Sequence, residues 1–83
     1  MADVTYYVAL RFVPDDAGSP VPAAAEECQS AFAALRRAEI LSRADGSTGA
    51  IAFSRTGDPS TGEFGDAQVL RRFGQVPDDL SGL

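Results

Sequence analysis

Residues Val4 to Val13, VTYYVALRFV, alternate in a way that a β-strand uses and a helix does not. Val4, Tyr6, Val8, Leu10 and Phe12 fall on one face at period two, while Thr5, Tyr7, Ala9 and Arg11 fall on the other. A strand of this length needs neighbours for its backbone and a second layer for its apolar face. In a chain of 83 residues there is room for one sheet and one covering layer. The strand ends at PDDAGSP, which is dense in turn formers.

One segment supplies the cover. Ala31 to Arg43, AFAALRRAEILSR, reads as a helix whose apolar stripe runs through Cys28 (if included), Ala31, Phe32, Leu35 and Ala38. Thirteen residues make a rod of roughly 20 Å, about the length of a six-residue strand. Glu39 falls near the centre of that stripe, about 40° from Leu35 by the 100° helical step. It needs an arginine partner if buried, or else a place where the helix outruns the sheet. Arg36 and Arg37 read as a solvated flank, and Cys28 as a small core hydrophobe.

The stretch between strand and helix admits two readings. VPAAAEECQ has good helix propensity, with Pro22 suited to a first helical position. Alternatively Ser30 is the N-cap of a helix that starts there, and Pro20 to Gln29 pairs back on the first strand. Downstream, Ala50 to Thr56 reads as a strand with Ile51 and Phe53 on one face and Ala50, Ala52 and Ser54 on the other. Ala67 to Phe73 reads as another, with Val69 and Phe73 alternating against Leu70 and Arg72. The tail from about residue 75 is polar, pinned by Val76 or Leu80 and loose beyond. The expected architecture is α+β: a three- or four-stranded antiparallel sheet with one helix on a face, in βαββ or ββαββ order.

Composition removes whole classes of function. The chain contains no histidine and one cysteine. Ser-His-Asp and Cys-His nucleophiles and zinc sites of ordinary spacing are therefore unavailable within one chain. No metal and no cofactor is expected, and no catalytic residue stands out. A net charge of −5 opposes both nucleic acid and anionic membrane as partners. One cysteine cannot form an internal disulfide, and MADVTYYVAL lacks the charged start of a signal peptide. Together these features give the expectation of a cytoplasmic protein.

The connection Ser54 to Ala67, SRTGDPSTGEFGDA, invites a site reading. Gly57 and Gly62 have phosphate-loop spacing, but Glu63 replaces the lysine and Phe64 the hydroxyl. Pro59 and Thr61 break the calcium-loop pattern. The economical reading is a hairpin loop in which Asp58-Pro59 starts a turn and Ser60 and Thr61 bond locally. In it Gly57, Gly62 and Gly65 take positive φ, and Phe64 folds back on the strands. Arg55 would pair with Asp58 or Asp66. In the functional version, Arg55 and Thr56 present donors to an anion or to a partner's carboxylate, Asp58 or Glu63 takes hydroxyls of a small ligand, and Asp66 belongs to the same binding set. A second candidate surface is the sheet face left without a helix. If Tyr6 is the tyrosine beneath the helix, that surface carries Tyr7, Ala9 and Val13 and suits self-association.

YYVAL (Tyr6 to Leu10), SAFAALRRAE (Ser30 to Glu39) and above all AFSRTGDPSTGEFGDAQVLRRFGQVPDDL (Ala52 to Leu80) resemble a family of small uncharacterised bacterial proteins, chiefly from α-proteobacteria. The resemblance covers most of the chain. It implies a helix starting near Ser30, hence an extended Pro20 to Gln29 and the ββαββ order. That family has no assigned activity, so the resemblance transfers no functional residue. The expected role is a non-catalytic interaction or regulatory module that self-associates or docks on a protein. The alternative is a small-anion binder or accessory enzyme subunit using the 54–66 loop.

Overall fold

The computed structural model describes residues 3–78 and 80. Its elements run β1 (Val4–Pro14), β2 (Pro20–Cys28), α1 (Ala31–Ser42), β3 (Gly49–Asp58), β4 (Glu63–Phe64) and β5 (Gln68–Gly74). The fold is α+β, with one helix packed against a curled antiparallel sheet in ββαββ order, to which the two-residue β4 adds a fifth strand beyond the three or four expected. In the sheet β1 lies between β2 and β3, and the two short strands β4 and β5 both pair with β3.

The ambiguous stretch is a strand. β2 pairs with β1 from Tyr7–Cys28 to Pro14–Pro20, so its backbone gains partners that outweigh the helix propensity of its alanines. Pro20 and Pro22 are tolerated because β2 is the outer strand, where a missing N–H breaks no ladder on the open side. The helix then starts where Ser30 caps it, its Oγ accepting the Ala33 amide at 3.1 Å.

The helix sits on a surface of alanine. Ala34 and Ala38 of α1 meet Ala9 of β1 and Ala50 and Ala52 of β3, all without exposed area, and Leu41 closes one end. Tyr7, Cys28, Leu35 and Phe73 pack around this contact. The expected stripe therefore needs correction. Ala38 and the half-buried Leu35 lie on it, but Phe32 is 69% exposed. The side chain with most apolar area points outward because close approach of helix and sheet requires the smallest residues between them.

The larger apolar residues gather on the opposite face. Leu10, Phe12, Ile51 and Phe53 form a second buried cluster, against which Val8, Ala67, Val76 and Leu80 pack. Val76 and Leu80 thus hold the tail as anticipated; the expected loosening beyond Leu80 lies outside the described residues. Tyr7 and Ala9 belong beneath the helix, so they do not form the uncovered surface assigned to them with Val13. Val13 is half-buried and pairs with Val21.

Two bulges curl the sheet. Between Leu10 and Phe12 the facing β2 advances from Ala25 to Pro22, and between Ala52 and Phe53 the facing β5 moves from Arg71 to Val69. The extra residue on each outer strand bends it and shifts its alternation. Val69 therefore faces the same side as Phe53 while Phe73 lies under the helix, which separates two residues expected to share a face.

Substituting Ala38→Leu should destabilise the fold by about 1–3 kcal/mol through overpacking. Each kcal/mol lowers the thermal midpoint by about 4–8 °C in a chain of this size. Phe32→Ser should stay within about 0.5 kcal/mol of the parent. Thermal unfolding followed by circular dichroism tests this, and the reverse ranking would mean that the helix is seated on its Phe32 side.

Candidate functional site

The helix-free face of the sheet is closed at one end and open at the other. Val76 and Leu80 cover the Leu10–Phe12 end. At the other end Tyr6 and Val8 of β1, Ala25 and Glu27 of β2, Phe53 and Arg55 of β3, and Phe64 of β4 line a shallow trough of about 410 Å3. Strand register explains the grouping: Tyr6 lies opposite Arg55, and Val8 lies between Glu27 and Phe53. All point to one side because their positions share parity across the paired strands.

The connection after β3 shapes one wall. Asp58 Oδ1 accepts both the Ser60 amide at 2.9 Å and the Ser60 hydroxyl at 2.7 Å. The Asp58 carbonyl accepts the amides of Thr61 and Gly62 at 3.2 and 2.9 Å. The hydrogen bonds from Ser60 hold the Asp58 carboxyl below the usual carboxylate range. Gly62 turns the chain at φ 77°. Gly57 and Gly65 do not have the positive φ expected of them, among the described residues. Gly57 is needed for room instead: a Cβ there would run into the Glu63 carbonyl oxygen and the Phe64 ring. The close crossing brings Phe64 back over β1, its ring centroid 5.6 Å from that of Tyr6.

This geometry divides the proposed binding set. Arg55 opens onto the aromatic trough, and its Nε donates to the Gly65 carbonyl at 3.3 Å rather than to Asp58 or Asp66. Thr56 alternates to the other face, where its hydroxyl lies 2.8 Å from that of Thr5. Thr56 and Asp66 line a separate polar cleft with Ser54, Gly65, Ala67 and Gln68. Asp58 is committed to its own turn, and Glu63 lies exposed on β4. The five residues do not converge on one ligand. Among the described residues, no group of three or more acidic or cysteine side chains is placed to hold a metal ion.

Two further charges hold the fold. Arg37 donates through Nε and a terminal nitrogen to both carboxylate oxygens of Glu26, at 2.8 and 2.9 Å, clamping β2 to α1. This hydrogen-bonded pair lowers the Glu26 carboxyl and raises the Arg37 guanidinium. Arg37 is thus solvated, as expected of that flank, and also carries an ion pair that the spacing did not indicate. Glu39 is half-exposed and pairs with Arg43 one turn on at 2.9 Å, so it sits at the helix edge rather than in the core.

Sequence reasoning missed the trough residues Val8, Ala25, Glu27, Phe53 and Phe64 as a group. The usable signal was the period-two run Tyr6–Val8 joined to Phe53–Arg55, which share a face once β1 and β3 are paired. Comparison of the chain with family models, curated proteins and solved structures gave no match.

Gly57→Ala should cost about 1–3 kcal/mol and separate Phe64 from Tyr6, seen as lost ring-current shifts. Gly62→Ala should cost about 1–2 kcal/mol through its left-handed backbone alone and leave those shifts in place. Acid should loosen the connection. Asp58 titrates below its unfolded value, so its contribution is complete above about pH 5 and is lost as pH falls through the lowered folded value. Amide spectra between pH 6 and 2 should show Ser60 moving with the Asp58 titration; a Ser60 amide that stays fixed would count against the hydrogen bond.

Proposed function

We propose that this protein is a non-catalytic interaction module that holds a partner protein against the helix-free face of its sheet. The observation behind this reading is the trough itself, with apolar aromatic walls and a charge of each sign at its edges. Large aromatic side chains around a partly desolvated depression are the common anchors of protein recognition. Val4 and Phe64, 37% and 36% exposed, extend the apolar surface at its rim. Among the described residues, Glu26, Arg37 and Asp58, whose titration is shifted, have local structural partners, which supports a binding role over an acid–base one. The absence of histidine from the sequence and the net charge of −5 support a protein partner over a reaction centre or nucleic acid. Among the described residues no helix is long and apolar enough to cross a membrane. We read the single cysteine as fitting a cytoplasmic setting.

A second reading uses the same Arg55. Its guanidinium beside Tyr6 and Phe64 suits the carboxylate or phosphate of a small ligand that stacks on the rings.

Amide spectra of dilute labelled protein separate the two. A macromolecular fraction of cell extract should perturb Tyr6, Val8, Phe53 and Phe64, and Phe64→Ser should weaken the effect about tenfold. Perturbation of the same residues by the small-molecule fraction alone would favour the ligand. A face unmoved by any protein, this chain included, overturns the docking reading.

A further inference from the structure

The trough carries one acid and one base. Glu27 projects from β2 beside Val8, and Arg55 projects from β3 beside Tyr6. They are two strand spacings and two residues apart, a diagonal of about 12 Å, so they flank the apolar centre instead of meeting across it. Among the described residues, neither Glu27 nor Arg55 forms an ion pair. Arg55 uses Nε toward Gly65, and the fork of its guanidinium has no acidic partner there.

Resting on the reading of this face as a docking surface, we propose that its occupant is a second copy of the same chain, packed face to face about a twofold axis. A twofold contact must be self-complementary, with each patch meeting its own image. An acid and a base on opposite sides of an apolar centre meet that condition. An axis lying between the two sheets, perpendicular to the Glu27–Arg55 line, sets Glu27 of each copy against Arg55 of the other. One operation then forms two cross-pairs and buries Tyr6, Val8, Phe53 and Phe64 against their symmetry mates. A strongly basic or acidic partner would instead be matched by charges of a single sign around the trough. The helix, with its exposed Phe32 and Ile40, stays on the outside of the dimer.

The net charge of −5 on each copy opposes this association at long range, and salt screens that repulsion more than it weakens the close cross-pairs. The dimer should therefore tighten, or hold, between low and physiological salt.

The test is sedimentation equilibrium of the full chain over a micromolar to millimolar range, with circular dichroism confirming that each variant folds. The parent should approach twice the monomer mass. Glu27→Arg and Arg55→Glu should each weaken association by about tenfold or more, because each places like charges together in both cross-pairs. The double variant carrying both changes should recover the dimer. Phe64→Ser should weaken it without altering its response to the charge swap. A parent that stays monomeric overturns the proposal, as does a dimer that ignores both single variants or a double variant that fails to recover. A monomeric parent whose trough amides still respond to another protein leaves the docking reading standing and removes only the second copy. A trough that answers neither to this chain nor to any other protein removes both.

Discussion

The helix can rest on this sheet only because alanine meets alanine there. Ala34 and Ala38 approach Ala9, Ala50 and Ala52 with no side chain longer than a methyl group between the backbones. Such a contact contributes little apolar area per residue and depends on closeness and on the larger groups around it. Tyr7, Leu35, Leu41 and Phe73 supply that surround. Small residues under the helix also dictate the rest of the sheet. The bulky members of β1 and β3, Leu10, Phe12, Ile51 and Phe53, must face the other way. Leaving each of them in water would forgo about 1.5–3 kcal/mol.

That second face is covered by two devices other than a helix. The bulges in β2 and β5 curl the outer strands, and the tail returns Val76 and Leu80 over the Leu10–Phe12 end. The clamp of Arg37 on Glu26 ties the outer strand to the helix, and Arg11 reaches the loop after α1 through the Ser47 hydroxyl and the Asp45 carbonyl. With the tail occupying one end of the face, the other end is a trough whose far wall is Phe64. Its position depends on the Gly57 crossing and on the turn that Asp58 organises. The trough is thus a by-product of how the core is divided between the two sides of the sheet.

Electrostatics give this face a character that its apolar residues alone would not. The acids and bases that hold the fold are used up in pairs or turns, as with Glu26, Arg37, Glu39, Arg43 and Asp58. Glu27 and Arg55 stand apart from those contacts at the edges of the trough. One charge of each sign around an apolar centre favours orientation of a partner more than raw affinity.

Much of the fold is legible in the residues alone. Alternation from Val4 identifies the central strand, the spacing of Ala31 to Arg43 the helix, and glycine, proline and aspartate the turns; each is a local preference that neighbours in sequence decide. The choice between helix and strand for Pro20 to Cys28 is not local, since it turns on whether β1 offers a free edge for pairing. Nor could periodicity say which face of β1 the helix would take, because both faces carry apolar residues and the deciding factor is how close two backbones can come. The bulges lie beyond any pattern reading for the same reason: an extra residue is visible only against the strand it fails to match. The sequence by itself therefore determined an α+β fold without histidine-based chemistry, through the local conformational preferences and chemical inventory of its residues. Tertiary structure alone decided that Tyr7 and Ala9 go under the helix and that Tyr6, Arg55, Glu27 and Phe64 come together, because those outcomes depend on register and on the space between packed layers.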